Sequence, residues 1–310
     1  MPFNYHDGTN ILPQRTIDVI GFGKVAIITG CASGVGLATI QLFLSHQYEV
    51  LGVDIVDMEY AKIDQRDQER FHFHRGDLTE DGECDEVVRI CVAKFGPKID
   101  VLANVAGVMD AFEAIDVFSD AEWSRIMSVN LTVPTRMIRA VIPFMKAKQN
   151  GSIINVASKA AISGATAGLA YTTSKHGLLG VTKHTAWRFR DEGIRCNAVL
   201  PGSKSLSSAT HLHLVRFNSI LFTWWWIKKT DFLTKYLAME TNVKAFEKND
   251  HFDEAGFAAL RPIWELHNPV GETPSITSNE VANVILFLAS DGARAINGVA
   301  LPIDKAWGVI

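Results

Sequence analysis

The feature that most constrains the fold of this chain is a short apolar run, rich in β-branched residues, that recurs along the sequence. Most runs stop at a turn residue and precede a segment with helical spacing, as "KVAIITG" precedes "VGLATIQLFLSHQ". The later runs are "YEVLGVD", "FHFHRGDL", "IDVLANVAG", "GSIINVAS", "IRCNAVLPG" and "GVALPID". A continuous apolar run is typical of a strand buried on both faces. Strands that alternate with helices predict an α/β fold, a Rossmann-type doubly wound parallel sheet in a single domain.

The loop "TGCASGVG" lies between the first predicted strand and the first predicted helix. Gly30, Gly34 and Gly36 allow a tight turn and a close approach to a pyrophosphate, which the helix N-terminus stabilises. Such a loop can also be only a tight turn, but its place in the first strand–turn–helix unit favours a dinucleotide site. We interpret Cys31, within this loop, as a small apolar filler rather than as a thiol activated by the helix.

Two aspartates follow the next predicted strands. Asp54 ends the second strand, 18 residues after Gly36. A carboxylate there can accept both ribose hydroxyls of NAD and would repel the 2′-phosphate of NADP. Since no Arg or Lys lies in the loop or directly beside Asp54, we expect NAD rather than NADP, although Asp54 could merely end a strand. Asp77, in "GDL", could bind the adenine amino group or form a turn.

The segment "YTTSK" places Tyr171 and Lys175 four residues apart, on one face of a predicted helix. A free phenol has a pKa of about 10 and is a poor base at neutral pH. A neighbouring cation stabilises the phenolate, and Lys175 can supply that charge and reach a cofactor ribose. Ser158 lies 13 residues before Tyr171, at a predicted strand end. Its hydroxyl could bind a substrate oxygen or cap a helix.

Asn130 lies in the middle of a long predicted helix, which begins at the capping pattern Ser119–Glu122. Asn is a mediocre helix former, and its presence is better explained if it holds a water molecule. Pro134 follows closely and should disturb the surrounding helical hydrogen bonds. A second capping pattern, Thr277–Glu280, predicts the start of the last helix.

Taken in order, "TGCASGVG", "NVAG", Asn130, Ser158, "YTTSK" and the "PG" of Pro201 and Gly202 resemble the short-chain dehydrogenase/reductase family. The resemblance covers about Lys24–Gly202 and resumes from Asp253 to the C-terminus. The C-terminal segment "ILFLASDGARAINGVALPIDKAW" is similar to fungal members that are often found in secondary metabolism.

The resemblance implies a role for each residue of the motifs. Tyr171 would be the acid/base and Lys175 would lower its pKa and bind the nicotinamide ribose. Ser158 would position the reacting oxygen, and Asn130 would complete a proton relay through water. The expected cofactor-binding residues are Gly30, Ser33, Gly34, Val35, Gly36, Asp54, Asp77, Leu78, Asn104, Ala106, Gly107, Tyr171, Lys175, Pro201 and Gly202.

The implied activity is NAD-linked interconversion of a secondary alcohol and a ketone on a small, apolar metabolite. Reduction of a C=C or C=N bond by the same residues remains an alternative, as does a binding protein that keeps the fold without turnover. The intact Ser158, Tyr171 and Lys175 argue against the last alternative. Family members often form homodimers or homotetramers, so we expect a homo-oligomer.

Composition excludes several other classes of function. The chain has 310 residues, 47% hydrophobic and 21% charged, with a formal net charge of −4 and no cluster of Lys and Arg for nucleic acid. The spacings of its four cysteines fit neither a disulfide framework nor a zinc site, which favours a reducing, cytoplasmic location. We expect no secretory signal, because no apolar block follows a basic start. No apolar run reaches the length of about 20 residues that spans a bilayer, so we expect no membrane insertion. The patterns "HFH" and "HLH" lack a third ligand, so we expect no metal.

We expect an irregular arm over residues 1–22 and a dinucleotide-binding domain over residues 23–310. An insertion in the substrate loop, at about 203–250, departs from the family pattern and contains "SILFTWWWIKK". Three interpretations stay open for its region of about 203–235. It could be a lid over an apolar substrate, an interfacial membrane contact, or translation of a retained intron or of a misannotated gene.

Overall fold

The computed structural model describes residues 20–202, 253, 255–256, 258–259 and 276–306. Seven parallel strands in this part of the chain form one sheet in the order β3-β2-β1-β4-β5-β6-β7. The strands are β1 Val25–Thr29, β2 Glu49–Asp54, β3 Phe71–Arg75, β4 Val101–Asn104, β5 Gly151–Val156, β6 Ile194–Pro201 and β7 Ala300–Ile303. The helices are α1 Gly34–Ser45, α2 Glu83–Phe95, α3 Asp120–Met127, α4 Val133–Lys148, α5 Leu169–Arg188 and α6 Ser278–Ala289. The predicted Rossmann-type sheet in a single domain is confirmed.

Helices cover both faces of the sheet because successive strand residues point to opposite sides. In β1, Ile28 packs with the residues of α1 and α6, whereas Ile27 packs with those of α2 and α4. Both residues are fully buried, as expected for a central strand. Buried helix residues on the first face include Ile40, Phe43, Val281 and Ile285, and those on the second include Val87, Met137 and Val141.

The strand order reverses at β1. The chain moves outward through β2 and β3, then returns to β4 on the other side of β1. In open α/β sheets, ligands bind in a crevice beyond the carboxyl ends of the strands at such a reversal, which here lies beyond β1 and β4. The predicted strand-end motifs lie at the carboxyl ends of β1 to β6.

The single long helix predicted around Asn130 is wrong in one respect. A π-helical turn, Ser128–Thr132, separates α3 from α4. Pro134 lies in the first turn of α4, directly after this π-helical turn. The disturbance predicted around Pro134 thus takes the form of a π-helical turn within a continuous helical backbone.

Both predicted capping residues begin helices, in different ways. Ser119 Oγ accepts a hydrogen bond from Glu122 N at 3.2 Å, but the Glu122 carboxylate pairs with Arg125 instead of completing a capping box. At α6 the box is complete, since Glu280 N donates to Thr277 Oγ1 and Thr277 N donates to the Glu280 carboxylate.

Two expectations from the sequence lie outside the described residues. These are most of the arm over 1–22 and the insertion at about 203–250, with its tryptophan-rich segment. Among the helices that the structure describes, none has the length and apolar character needed to cross a bilayer.

Candidate active site

The glycine loop after β1 is shaped by close backbone contacts that a side chain would prevent. Gly30 has φ of 68°, and a Cβ atom there would lie 2.7 Å from Ala106 Cα. A Cβ on Gly36 would overlap the carbonyl oxygen of Gly30. Thr29 Oγ1 accepts hydrogen bonds from Val105 N and Ala106 N, each at 3.1 Å, and so joins this loop to the one after β4. The bare backbone that results leads directly into the N-terminus of α1 and fits a pyrophosphate.

The carboxylate of Asp54 lies beside this loop, at the end of β2. Its Oδ2 accepts a hydrogen bond from Ala32 N at 2.9 Å, and its Oδ1 accepts one from Val56 N at 3.2 Å. The chain neighbours of Asp54 carry no basic side chain, but its direct partner in β3 is Arg75. The Arg75 guanidinium contacts Ile55 O and the Asp57 carboxylate, each at 3.2 Å. Strand pairing creates this neighbour, 21 residues away in the sequence.

Three further members of the expected cofactor set line the same end of the sheet. Asp77 follows β3, and its Oδ1 accepts hydrogen bonds from Thr79 N at 2.9 Å and Thr79 Oγ1 at 2.7 Å, so it forms a turn. Leu78 is buried beneath it. Asn104 donates to Asn155 Oδ1 at 2.9 Å, and its own Oδ1 is buried with no hydrogen-bond partner among the described residues. An orphaned acceptor beside the crevice fits a site that takes a donor from a ligand.

Cys31 and the histidines of β3 lie in surroundings that indicate a structural role. The Cys31 thiol is fully buried, and burial raises its pKa well above the usual range, which confirms the interpretation as an apolar filler. His74 Nε2 lies 2.6 Å from Glu83 Oε1. Within the described residues, no three side chains of His, Cys, Asp or Glu are grouped as metal ligands.

Three residues of the predicted catalytic set meet where β5 ends and α5 begins. Ser158 acts to lower the pKa of the Tyr171 phenol, and its Oγ accepts a hydrogen bond from Ala160 N at 3.1 Å. Lys175 lies one turn after Tyr171, with its Nζ 5.4 Å from the centre of the tyrosine ring. The same Nζ donates to Val156 O at 3.0 Å. Lys175 is buried and Tyr171 is half-buried, so both reach the crevice from one helix face.

Lys175 was expected to lower the pKa of Tyr171, but in the protein chain without cofactor this pKa is raised. Burial raises the pKa of Tyr171 to about 12, the hydrogen bond from Ser158 opposes this, and the charge of Asp110 adds to it. Burial also lowers the pKa of Lys175 to about 8. Desolvation disfavours the charged form of each group and is the largest cause of both shifts.

Asn130 holds the loop after β4. Its Nδ2 donates to Val108 O at 2.8 Å and to Ser174 Oγ at 3.3 Å, and its Oδ1 accepts from Val108 N at 2.8 Å. A Cβ on Gly107 would lie 3.3 Å from Asn130 Oδ1 and 3.4 Å from Lys175 Nζ. Glycine at this position thus leaves Asn130 and Lys175 facing the same small space, while the water relay stays a prediction.

The end of β6 forms another wall of the crevice. Gly202 N donates to Ile303 O at 3.0 Å, and a Cβ on Gly202 would lie 2.8 Å from Asp304 Cβ. Asp304 forms a buried ion pair at 3.1 Å with Lys159, the residue that follows Ser158. Neither Lys159 nor Asp304 was predicted from the sequence. Only their charge within otherwise apolar segments gave a signal.

Asp110 was also not predicted, although it contacts the start of the helix that carries Tyr171. It lies in the loop after β4, is 1% exposed, and accepts a hydrogen bond from Tyr171 N at 2.8 Å. The chain order "NVAGVMD" contained a charged residue in an apolar stretch, which is the signal that could have found it.

A bare glycine loop, a strand-end carboxylate and a serine–tyrosine–lysine group at one edge of a parallel sheet define a dinucleotide-binding oxidoreductase. The pattern described as "short chain dehydrogenase" matches residues 24–211. The chain therefore belongs to the short-chain dehydrogenase/reductase family, whose members bind a nicotinamide cofactor.

Fungal relatives span nearly the whole chain. The short-chain dehydrogenase/reductase cdmF of Talaromyces verruculosus is 40% identical over 92% of this chain and 97% of its own length. The asnovolin H dehydrogenase nvfC of Aspergillus novofumigatus has the same identity and the same coverage of both chains.

Solved structures share the fold at lower identity. The crystal structure of gox2181 has a TM-score of 0.69 and 22% identity, and covers 94% of this chain and 98% of the other. A single-residue variant of ElxO with NADPH bound has a TM-score of 0.69 and 21% identity, and covers 93% of this chain and 99% of the other.

Proposed function

We propose that this protein interconverts a secondary alcohol and a ketone on a small apolar metabolite, with NAD as the hydride carrier. The observation that supports this most strongly is the grouping of Ser158, Tyr171 and Lys175 beyond the end of β5, where Ser158 acts to lower the pKa of the Tyr171 phenol and Lys175 Nζ lies 5.4 Å from the tyrosine ring. A relative named asnovolin H dehydrogenase supports a substrate from fungal secondary metabolism.

Each residue of the site has its own role in the proposed reaction. Ser158 donates a hydrogen bond to the substrate oxygen and holds it next to the Tyr171 hydroxyl. Tyr171 gives its proton to that oxygen in reduction and takes the proton back in oxidation. When bound, the cofactor supplies or accepts the hydride. Lys175, held by Val156 O, places a cation near the tyrosine and beside Gly107.

The glycine loop and the strand ends would hold the cofactor. Gly30, Gly34 and Gly36 expose backbone to the pyrophosphate at the N-terminus of α1. Asp54 would accept the ribose hydroxyls, and its charge favours NAD over NADP. Assembly as a homodimer or homotetramer, a cytoplasmic location and the domain bounds 23–310 stay predictions.

Replacement of one hydroxyl tests the proposal. We expect Tyr171→Phe to fold and to bind NADH with nearly unchanged affinity, while turnover falls by about 10²–10⁴-fold, the usual contribution of a general acid/base. Turnover is followed by NADH absorbance on a panel of secondary alcohols and ketones, and binding by NADH fluorescence.

Tyr60→Phe is the matched control, since Tyr60 is exposed and packs on Phe71, away from Ser158. Near-normal turnover by Tyr171→Phe would refute the assignment. NADH binding by the wild type without turnover on any substrate would favour a binding protein instead.

A further inference from the structure

The proposed reaction assigns no role to the buried carboxylate of Asp110. Its Oδ1 accepts hydrogen bonds from Gly168 N and Phe112 N, each at 3.2 Å, and its Oδ2 accepts from Tyr171 N at 2.8 Å. An ionised carboxylate is suited to accept from three N–H groups, because it has acceptor sites on both oxygens and no donor.

These contacts cap the helix that carries Tyr171. The first N–H groups of a helix have no partner within the helix, and a side chain at the N-cap usually supplies one. In α5 the N-cap is Gly168, which has no side chain. Asp110 takes over this function from 58 residues earlier in the chain. Tyr171 is the third residue of α5, so the capped N–H belongs to the proposed acid/base itself.

The fit between the loop and the helix is close enough to fix their relative position. A Cβ on Gly168 would lie 2.6 Å from both Asp110 Oδ2 and Phe112 Cα. The next N–H of the helix, from Leu169, donates to Glu113 O at 3.0 Å. The loop over residues 110–113 therefore satisfies several donors of the first turn of α5 at once.

The same loop is held from its other side. Asp253 N donates to Ala111 O at 3.0 Å, and Ala114 N donates to Asp253 Oδ2 at 3.4 Å. Phe112 has φ of 63°, a conformation that L-residues seldom adopt and that persists only where the surroundings impose it. A loop fixed on both sides can hold Tyr171 at one place relative to Ser158.

We propose that Asp110 is a positioning residue of the reaction, which places Tyr171 through its backbone N–H and holds a negative charge at the N-terminus of the helix that carries Tyr171. The inference rests on the proposed function only in taking Tyr171 as the acid/base.

The surrounding charges agree with this role. The N-terminus of a helix carries a partial positive charge that would stabilise a phenolate, and the Asp110 carboxylate offsets it. Burial is the main cause of the raised pKa of Tyr171, and the charge of Asp110 raises it further. On the other side of Asp110, Glu122 of α3 adds negative charge but is paired with Arg125 at 2.8 Å. On α5, Lys175 faces the Tyr171 ring, with its Nζ 5.4 Å from the ring centre.

Two substitutions separate position from charge. Asp110→Asn removes the negative charge and leaves one oxygen to accept the hydrogen bonds that Oδ1 and Oδ2 now share. Asp110→Glu keeps the charge but moves the carboxylate away from these donors. We expect kcat to fall by about 10–10²-fold in both, the size of effect that a misplacement of about 1 Å can cause, with the KM for NADH nearly unchanged. The pH limb of kcat that Tyr171→Phe assigns to the tyrosine should move to lower pH in Asp110→Asn but not in Asp110→Glu.

A cofactor-free measurement gives the same information. The ¹³C resonance of the Tyr171 ring carbon that bears the hydroxyl, assigned by its loss in Tyr171→Phe, should titrate at lower pH in Asp110→Asn than in the wild type. Gly168→Ala is a second route to the cap, since it displaces Asp110 without changing any charge. It should lower kcat without an acid shift of the pH limb, and it keeps the positioning role testable if Asp110→Asn does not fold.

The control is Thr277→Ala, which removes the N-cap of α6, at a distance from Tyr171. It should lower the melting temperature but change neither the pH limb nor kcat per folded molecule. The inference is overturned if the Asp110 and Gly168 variants keep the kcat and pH profile of the wild type. It is equally overturned if their loss of kcat only follows the unfolded fraction, as measured by circular dichroism. An active Tyr171→Phe would refute the proposed function instead, whatever the Asp110 variants do.

Discussion

At the scale of single residues, the charge on Lys175 depends on pH near the physiological range. Burial lowers the pKa of its ammonium to about 8, so the group is charged below this pH and becomes neutral above it. If the ammonium binds the cofactor ribose, the affinity for NADH should fall as pH rises through about 8. Fluorescence titration between pH 6 and 9.5 measures this.

The matching substitutions identify the residue responsible. Lys175→Met should bind NADH more weakly than the wild type at pH 7, lose activity, and show no decline in affinity across the same pH range. Lys183→Met, on the same helix but exposed, should keep the wild-type profile. A decline that persists in Lys175→Met would assign it to another group.

The choice between NAD and NADP is also set by single residues at the ends of β2 and β3. Asp54 should favour NAD, and Asp54→Ala should narrow the preference because the 2′-phosphate no longer meets a carboxylate. Arg75 lies directly across from Asp54, and its guanidinium is held by a hydrogen bond to Ile55 O and by an exposed ion pair with Asp57 that is worth about 0–1 kcal/mol. We therefore expect Arg75→Ala, added to Asp54→Ala, to remove most of the gain in NADP use. The ratio of kcat/KM for the two cofactors tests this, and a wild type that prefers NADP would contradict it.

The sequence predicted some site residues and missed others for a physical reason. Tyr171 and Lys175 were accessible because their spacing of four residues has a fixed meaning on a helix. The glycine loop was accessible because it lies between one strand and the next helix. Arg75 and Asp110 act on partners 21 and 61 residues away, and such neighbours arise only from strand pairing and helix docking.

At the scale of secondary-structure elements, a buried ion pair joins the turn after β5 to the end of β7. The charged groups of Lys159 and Asp304 lie 3.1 Å apart with their side chains 6% and 8% exposed. Lys159→Met would leave a buried carboxylate without its cation, which typically destabilises a protein by about 3–5 kcal/mol. Urea unfolding should show this loss, and Asp304→Leu in the same chain should recover much of it.

A surface pair supplies the control for that prediction. Lys62 and Glu59 form an ion pair at 3.0 Å with both side chains well exposed. Lys62→Met should change the free energy of unfolding by no more than about 1 kcal/mol. A loss in Lys159→Met as small as that in Lys62→Met would mean that water reaches the buried pair.

The division between α3 and α4 illustrates which element boundaries a sequence reveals. The presence of a helical segment was clear from its capping residue at Ser119, and Pro134 marked a disturbance. The length of the interruption was not, because the π-helical turn is stabilised by Asn130, whose partners are Val108 and Ser174 on other elements. Local propensity locates a break, whereas tertiary hydrogen bonds decide its form.

At the scale of the whole molecule, alternation of strands and helices predicted the class of fold but not the order of strands. The reversal at β1 requires the chain to return past β2 and β3, and no residue pattern within β4 specifies that position. The nature of the insertion at about 203–250 stays a prediction, because it lies outside the described residues.

Cofactor binding should be visible in the stability of the whole chain. A ligand that binds only the folded state adds about 2.7 kcal/mol at a free concentration 100 times its Kd. In a domain of roughly this size each kcal/mol raises Tm by about 2–4 °C, so saturating NADH should raise Tm by about 5–10 °C.

Gly30→Ala should abolish the rise, since the backbone of Gly30 has φ of 68° and a Cβ there would lie 2.7 Å from Ala106 Cα. Scanning calorimetry of both proteins with NADH, NADPH and no nucleotide makes the comparison, and NADPH should give a smaller rise than NADH because of Asp54. An equal rise with NADH in Gly30→Ala would show that the dinucleotide binds away from the glycine loop.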